Sequence, residues 1–138
     1  MNILTRPSKI LTTALVAISL MTSQAKEHDA ALKACQDCAA ACESCVDGCL
    51  NEADVKAMAP CIKLCRDCAD LCSLCSKFMA RNSAHTGHLA ALCAAACEAC
   101  GAECAKHPSD HCKACAEACK KCVEECKKCV EECKKTEK

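Results

Sequence analysis

Cysteine recurs along this chain at alternating steps of three and four residues, in four separate runs. The first holds Cys35, Cys38, Cys42, Cys45 and Cys49, and the second Cys61, Cys65, Cys68, Cys72 and Cys75. The third holds Cys93, Cys97, Cys100 and Cys104. The fourth is the longest, with Cys112, Cys115, Cys119, Cys122, Cys126, Cys129 and Cys133. A three-four alternation is the a/d spacing of an α-helix, so each run sets its thiols along one helical face. That face is the one a helix normally buries. Here 21 of the 138 residues are cysteine, and sulfur takes the place of a hydrocarbon core.

Sulfur on a buried face can pack, form disulfides, exchange electrons or bind metal. Packing alone is a poor use, because each Cys fills less volume than Leu and gives up burial energy at every layer. Disulfides meet two obstacles. Neighbours on one helix have Cβ atoms about 5–6 Å apart, whereas a disulfide needs about 3.5–4.5 Å. The count of 21 is also odd, which leaves one thiol over. Bridges between helices stay open, as a structural bundle stapled by disulfides. A redox enzyme would expose its reactive thiol at a helix N-terminus, and these CxxC pairs lie within the seams.

Metal binding uses every thiol. Thiolates select soft ions: Cu(I), Zn(II) or iron–sulfur clusters. Twenty-one buried thiolates cannot stand unpaired in a low-dielectric interior. Cu(I) at about one per thiolate, with each sulfur bridging two ions, neutralises the core. Zinc in four-thiolate sites would take about five ions and leave much of the charge. Iron–sulfur cages want cysteines presented from loops. Cu(I) fits the seams best, and the reading is a non-enzymatic store. A metallothionein-like zinc buffer is the alternative.

Softer and borderline ligands stand at the ends of the seams. His28 lies seven residues before Cys35, Met58 three before Cys61, Met79 four after Cys75, and His107 three after Cys104. In an antiparallel bundle Met58, His107 and His111 share one mouth, and His28 and Met79 share the other. These five are candidate residues for passing copper inward.

The elements that carry the thiols follow from composition. Ala, Lys and Glu favour helix, and Phe78 is the single aromatic residue. The expected fold class is all-α: an antiparallel four-helix bundle with a cysteine-lined core. The helices are expected at about Glu27–Leu50, from Pro60 to about Arg81, from a cap at Ser83 or Thr86 to about Lys106, and from a cap at Ser109 or Asp110 to about Lys135. Pairs such as Glu124 with Lys128 and Glu131 with Lys135 suit a solvated outer face. Leu64, Leu71 and Phe78 form a flanking stripe for neighbouring helices or another subunit. A formal net charge of zero and the lack of stacking aromatics argue against nucleic acid.

The first 25 residues read as an export signal. Arg6 and Lys9 precede a short apolar run from Ile10 to Met21, and Ser23-Gln24-Ala25 supplies a cleavage site. The run is too short to span a bilayer comfortably. The expected organisation is a signal peptide over 1–25 and a metal-storage domain over 26–138. The product is exported, periplasmic and free of stable membrane association after cleavage.

Taken together, Cys61-Ile-Lys-Leu-Cys65-Arg-Asp-Cys68-Ala-Asp-Leu-Cys72, Cys112-Lys-Ala-Cys115-Ala-Glu-Ala-Cys119-Lys-Lys-Cys122 and the four-segment layout resemble the copper storage protein family. The resemblance covers nearly all of the expected mature chain. It implies a soluble homo-oligomer, a tetramer of four-helix bundles, that loads Cu(I) through an open end lined by His or Met. It also implies a role in supplying or sequestering copper outside the cytosol, for a recipient the sequence does not name. The run on the last helix, reaching Cys133, is longer than the family pattern.

Overall fold

A computed structural model describes the backbone over residues 10–136 and the side chains from residue 28 to 136. Four helices follow one another: α1 (Ile10–Leu50), α2 (Ala59–Ala80), α3 (Thr86–Cys104) and α4 (Asp110–Thr136). There is no strand among the described residues. Each helix packs against its two neighbours around a square, α1 on α2 and α4, α3 on α2 and α4. The expected antiparallel bundle is the fold observed.

The boundaries differ from the sequence reading in instructive places. Helix α1 begins at Ile10 rather than near Glu27, so the expected cleavage point falls within a continuous helix. The basic residues Arg6 and Lys9 lie outside the described residues. Pro60 sits in the first turn of α2 as expected, where its missing N–H costs nothing. Asn82 takes φ 50°, a left-handed conformation that Asn tolerates, and the Ser83 N–H returns to the Phe78 carbonyl at 3.1 Å. Together they close α2.

The expected caps do other work. Neither Ser83 nor Thr86 caps α3, which is preceded by His85 with no side-chain cap. The Thr86 hydroxyl instead donates to the Phe78 carbonyl at 3.2 Å. Helix α3 stops at Cys104, short of Lys106, which leaves His107 in the connection. Along α4 the outer ion pairs are Lys128–Glu125, Lys134–Glu131 and Lys135–Glu132, at i,i+3 rather than the expected i,i+4.

Twenty cysteines are buried and form the core with Ala31, Val46, Met58, Ala69, Met79, Ala90 and Ala94. Leu64 and Leu89 pack on its flank. Leu74 and Leu92 remain exposed. The small volume of Cys and Ala lets the four helices approach closely enough for sulfurs to meet across the bundle axis.

Candidate metal centre

Because each helix directs its a/d face inward, the four thiol seams meet as a ladder. Sulfur approaches run from 3.4 Å, Cys72 to Cys93, up to 4.0 Å. They cross every side of the bundle: Cys38 to Cys68 at 3.9 Å, Cys42 to Cys115 at 3.6 Å, Cys61 to Cys104 at 3.5 Å and Cys100 to Cys115 at 3.9 Å. They also cross its diagonals, with Cys42 to Cys100 at 3.9 Å and Cys72 to Cys122 at 3.8 Å. All 21 thiols are free.

The sulfurs group into quartets whose members lie within 4.8 Å of one another. Among them are Cys35, Cys93, Cys122 and Cys126; Cys38, Cys42, Cys68 and Cys119; and Cys42, Cys65, Cys100 and Cys115. With a metal–thiolate bond of about 2.3 Å, trigonal coordination separates sulfurs by about 4.0 Å and linear coordination by about 4.6 Å. The observed sulfur approaches lie at or just below the trigonal separation. Cys38, Cys42, Cys65 and Cys122 each belong to two quartets, so neighbouring sites share bridging sulfurs.

Protons hold the thiol core together in the absence of metal. Hydrogen bonds from Cys100 and Cys104 hold Cys65 down at about 4. Cys119 is held at about 6 by Cys100 and Cys115, and Cys38 at about 7 by Cys119. Their neighbours keep the protons: Cys42 is pushed up by Cys100 and Cys115, and Cys72 by Cys122 and Cys35. Burial raises Cys45, Cys61 and Cys112. No basic side chain is buried among the described residues. The charge of any further thiolate must be met by a proton or a metal ion.

One end of the ladder opens onto His111. Its Nε2–H donates to Glu52 Oε1 at 2.9 Å. A carboxylate only accepts, so this bond fixes the tautomer and leaves the Nδ1 lone pair free. Nδ1 lies 3.4 Å from Cys112 Sγ, 3.6 Å from Cys45 Sγ and 4.0 Å from Cys49 Sγ. The imidazole is thus aimed as a ligand at three thiols. Ser109 donates to the same Glu52 oxygen. Ser109 first, then His111, holds the Glu52 carboxyl below the usual carboxylate range. The stabilisation from this cluster is complete above about pH 4.3, the ordinary Glu value. It is lost as pH falls through the lowered value.

Gly48 makes the imidazole's position available. A Cβ there would lie 2.5 Å from His111 Cγ, so any larger residue displaces the ring. From the sequence Ser109 is expected only as a helix cap, and Glu52 carries no signal of its own. Their partner is 57 or more residues away, and no local pattern announces it.

The other expected mouth residues behave differently. His107 turns to Glu103 Oε1 at 3.4 Å rather than to a thiol, because α3 has ended before it. Met58 is buried at the start of α2 and belongs to the core cluster at this end. Met79 is 1% exposed at the opposite end of α2. His28 is part-buried, with its Nδ1 atom buried and without a hydrogen-bond partner. Cys133 is the one thiol that is half-buried.

The comparison with family profiles matches the one described as Copper storage protein over residues 24–138. The chain belongs to the copper storage protein family. Similar solved structures include the Cu(I)-bound copper storage protein BsCsp3, at 46% identity and TM-score 0.71 over 73% of this chain and 95% of that one. Metal-free copper storage protein 3 from Bacillus subtilis matches at 45% identity and TM-score 0.68, over 74% and 97%. A cytosolic copper storage protein from Streptomyces lividans, solved with five coppers, matches at 34% identity and TM-score 0.77, over 80% and 97%. No curated protein matches the chain. Copper storage relatives thus share this fold.

Proposed function

We propose that this chain stores many Cu(I) ions along its thiol ladder, as a reservoir with no catalytic role. The observation that carries the reading is a continuous column of buried sulfurs at 3.4–4.0 Å with no buried cation beside it. Such a column demands positive charge at close spacing, and a monovalent soft ion supplies it one thiolate at a time. Each of the 21 cysteines is a ligand in this reading. Similarity to Cu(I)-bound and copper-loaded relatives supports copper over zinc.

Copper enters past His111. Nδ1 takes the ion first, Glu52 holds the ring in place, and Cys45, Cys49 and Cys112 draw the ion into the ladder. Met58 backs this mouth. His107 contributes through Glu103 rather than by direct ligation. Native mass spectrometry of the reduced chain with excess Cu(I), and separately with Zn(II), tests the store. About one copper per cysteine against about five zinc ions is expected; equal small numbers of both would favour a general soft-metal buffer.

The storage domain spans residues 26–138, released by cleavage after Ala25 and working outside the cytosol, in the periplasm. The basic start, the short apolar run and the Ser23-Gln24-Ala25 site support export. The family match also begins close to that site, at residue 24. The Streptomyces lividans relative is cytosolic, so fractionation of cells is the deciding test. Recovery of the uncleaved chain in the cytosol would overturn export. Among the described residues no helix is long and apolar enough to cross a membrane. Self-association uses the groove in which Leu64, Leu71, Leu92 and Ala96 lie beside Asp67 and Asp70. Light scattering showing a monomer would remove that part of the reading.

A further inference from the structure

His28, Met79 and Cys133 stand toward the end of the bundle opposite His111. Cys35 lies beside Cys126 of the antiparallel α4 at 3.6 Å and beside Cys93 of the parallel α3 at 4.0 Å. Seven residues back along α1 stands His28. The same seven-residue step leads on to Cys133 in α4 and back to Thr86 in α3. Cys38 lies beside Cys68 of the antiparallel α2 at 3.9 Å. The ten-residue step from Cys38 to His28 leads along α2 to Phe78, next to Met79. The register therefore brings His28, Met79, Thr86 and Cys133 to one level.

Within that level His28 has an unmet need. Its Nδ1 is buried without a hydrogen-bond partner, so the ring has lost water and gained nothing. Thr86 does not serve it: its hydroxyl donates to the Phe78 carbonyl, and Nδ1 has no hydrogen-bond partner. Cys133 is the single thiol of the 21 that reaches toward solvent. Gly87 leaves it room: a Cβ there would come within 3.0 Å of Cys133 Cβ.

We propose that His28 Nδ1 and Cys133 Sγ hold a Cu(I) ion of their own at this end, with the Met79 thioether and the Cys129 thiol completing the layer. One neutral imidazole, one thiolate and one Cu(I) make an uncharged complex, which a partly buried layer accepts. Binding breaks the Cys133 S–H bond, forms a copper–sulfur bond and releases one proton; copper stays in the +1 state. The site lies beyond the quartet of Cys35, Cys93, Cys122 and Cys126, so it caps the ladder at the end His111 does not reach. It rests on the reading that the core takes Cu(I).

The test uses the full chain, labelled with 15N at histidine and titrated anaerobically with Cu(I). Saturation is expected to shift the His28 Nδ1 resonance in the wild type and to leave it unmoved in Cys133→Ser. His28→Ala removes no thiol and is expected to lower the copper plateau by one ion. Cys133→Ser changes a half-buried position, so it examines the site without disturbing α1. An unmoved His28 resonance with an unchanged His28→Ala plateau would overturn the terminal site and leave the store intact. A wild-type plateau of only a few ions would overturn the store, while the His28 resonance still reports on this end separately.

Discussion

At the scale of single residues, the mouth depends on a carboxylate that holds an imidazole in place. Glu52 sets the tautomer of His111, and the free Nδ1 faces Cys45, Cys49 and Cys112. Replacing Glu52 with Ala is expected to weaken copper held at the mouth about 10–100-fold, the usual loss when such a partner is removed. Equilibrium competition with a Cu(I) chelator at one equivalent reads this directly; unchanged affinity would mean that Glu52 does not orient the ring. Gly48→Ala makes the same point without touching a ligand, since its Cβ collides with the imidazole. Stopped-flow loading is expected to slow in that variant while the plateau stays put.

Proton release is also decided residue by residue. Hydrogen bonds from Cys100 first, then from Cys104 and Cys115 respectively, hold Cys65 and Cys119 below an ordinary thiol, so these two give up their protons most readily. Cys129, pushed up to about 12 by its burial and then by Cys133, still carries its proton. Copper binding must displace protons only from thiols that hold them. Fewer protons than coppers should therefore exchange in a pH-stat titration at pH 7. Affinity should fall as pH drops, because lower pH protonates Cys119 first and then Cys65. One proton per copper or more would contradict the shared-proton core.

At the scale of elements, the helices and their inward faces were legible because the three-four spacing of cysteine is itself the helical period. The antiparallel order followed from short connections, and Pro60 marked the start of α2. The caps and ion pairs were less legible. Ser109 had the chemistry of a cap, yet a carboxylate from the connection after α1 claimed its hydroxyl. Lys128 and Lys135 have glutamates at both three and four residues' distance and pair at three, while Lys134 has one at three only, because Val130 stands at four. Asn82 gives a test at this scale. Its left-handed conformation makes Asn82→Gly nearly neutral, whereas Asn82→Val should destabilise the metal-free bundle by about 1–2 kcal/mol. Urea denaturation followed by circular dichroism measures both; equal midpoints would show that the turn does not constrain α2.

At the scale of the whole molecule, folding and storage are linked. The metal-free core is built from small side chains and shared protons, so it is helical but gains little from burial. A ligand bound only by the folded state at a thousand times its Kd adds about 4 kcal/mol. For a domain of this size that is about 15 °C in Tm. Thermal melts with and without Cu(I) should differ by at least that much, and coincident melts would mean that copper does not bind within the core. The cysteine-lined interior was legible from cysteine spacing alone, while the two ends were not. His28, His111 and Met79 looked equivalent in sequence, and only the register of four helices separates a thiol-facing imidazole from an unpartnered one.

The most direct test of the account is an anaerobic titration of the fully reduced chain with Cu(I), with a competing chelator reporting the first free ion. A plateau near one copper per cysteine, close to 21 in all, is expected. A plateau at a handful of ions would contradict it and leave most of the sulfur as structure.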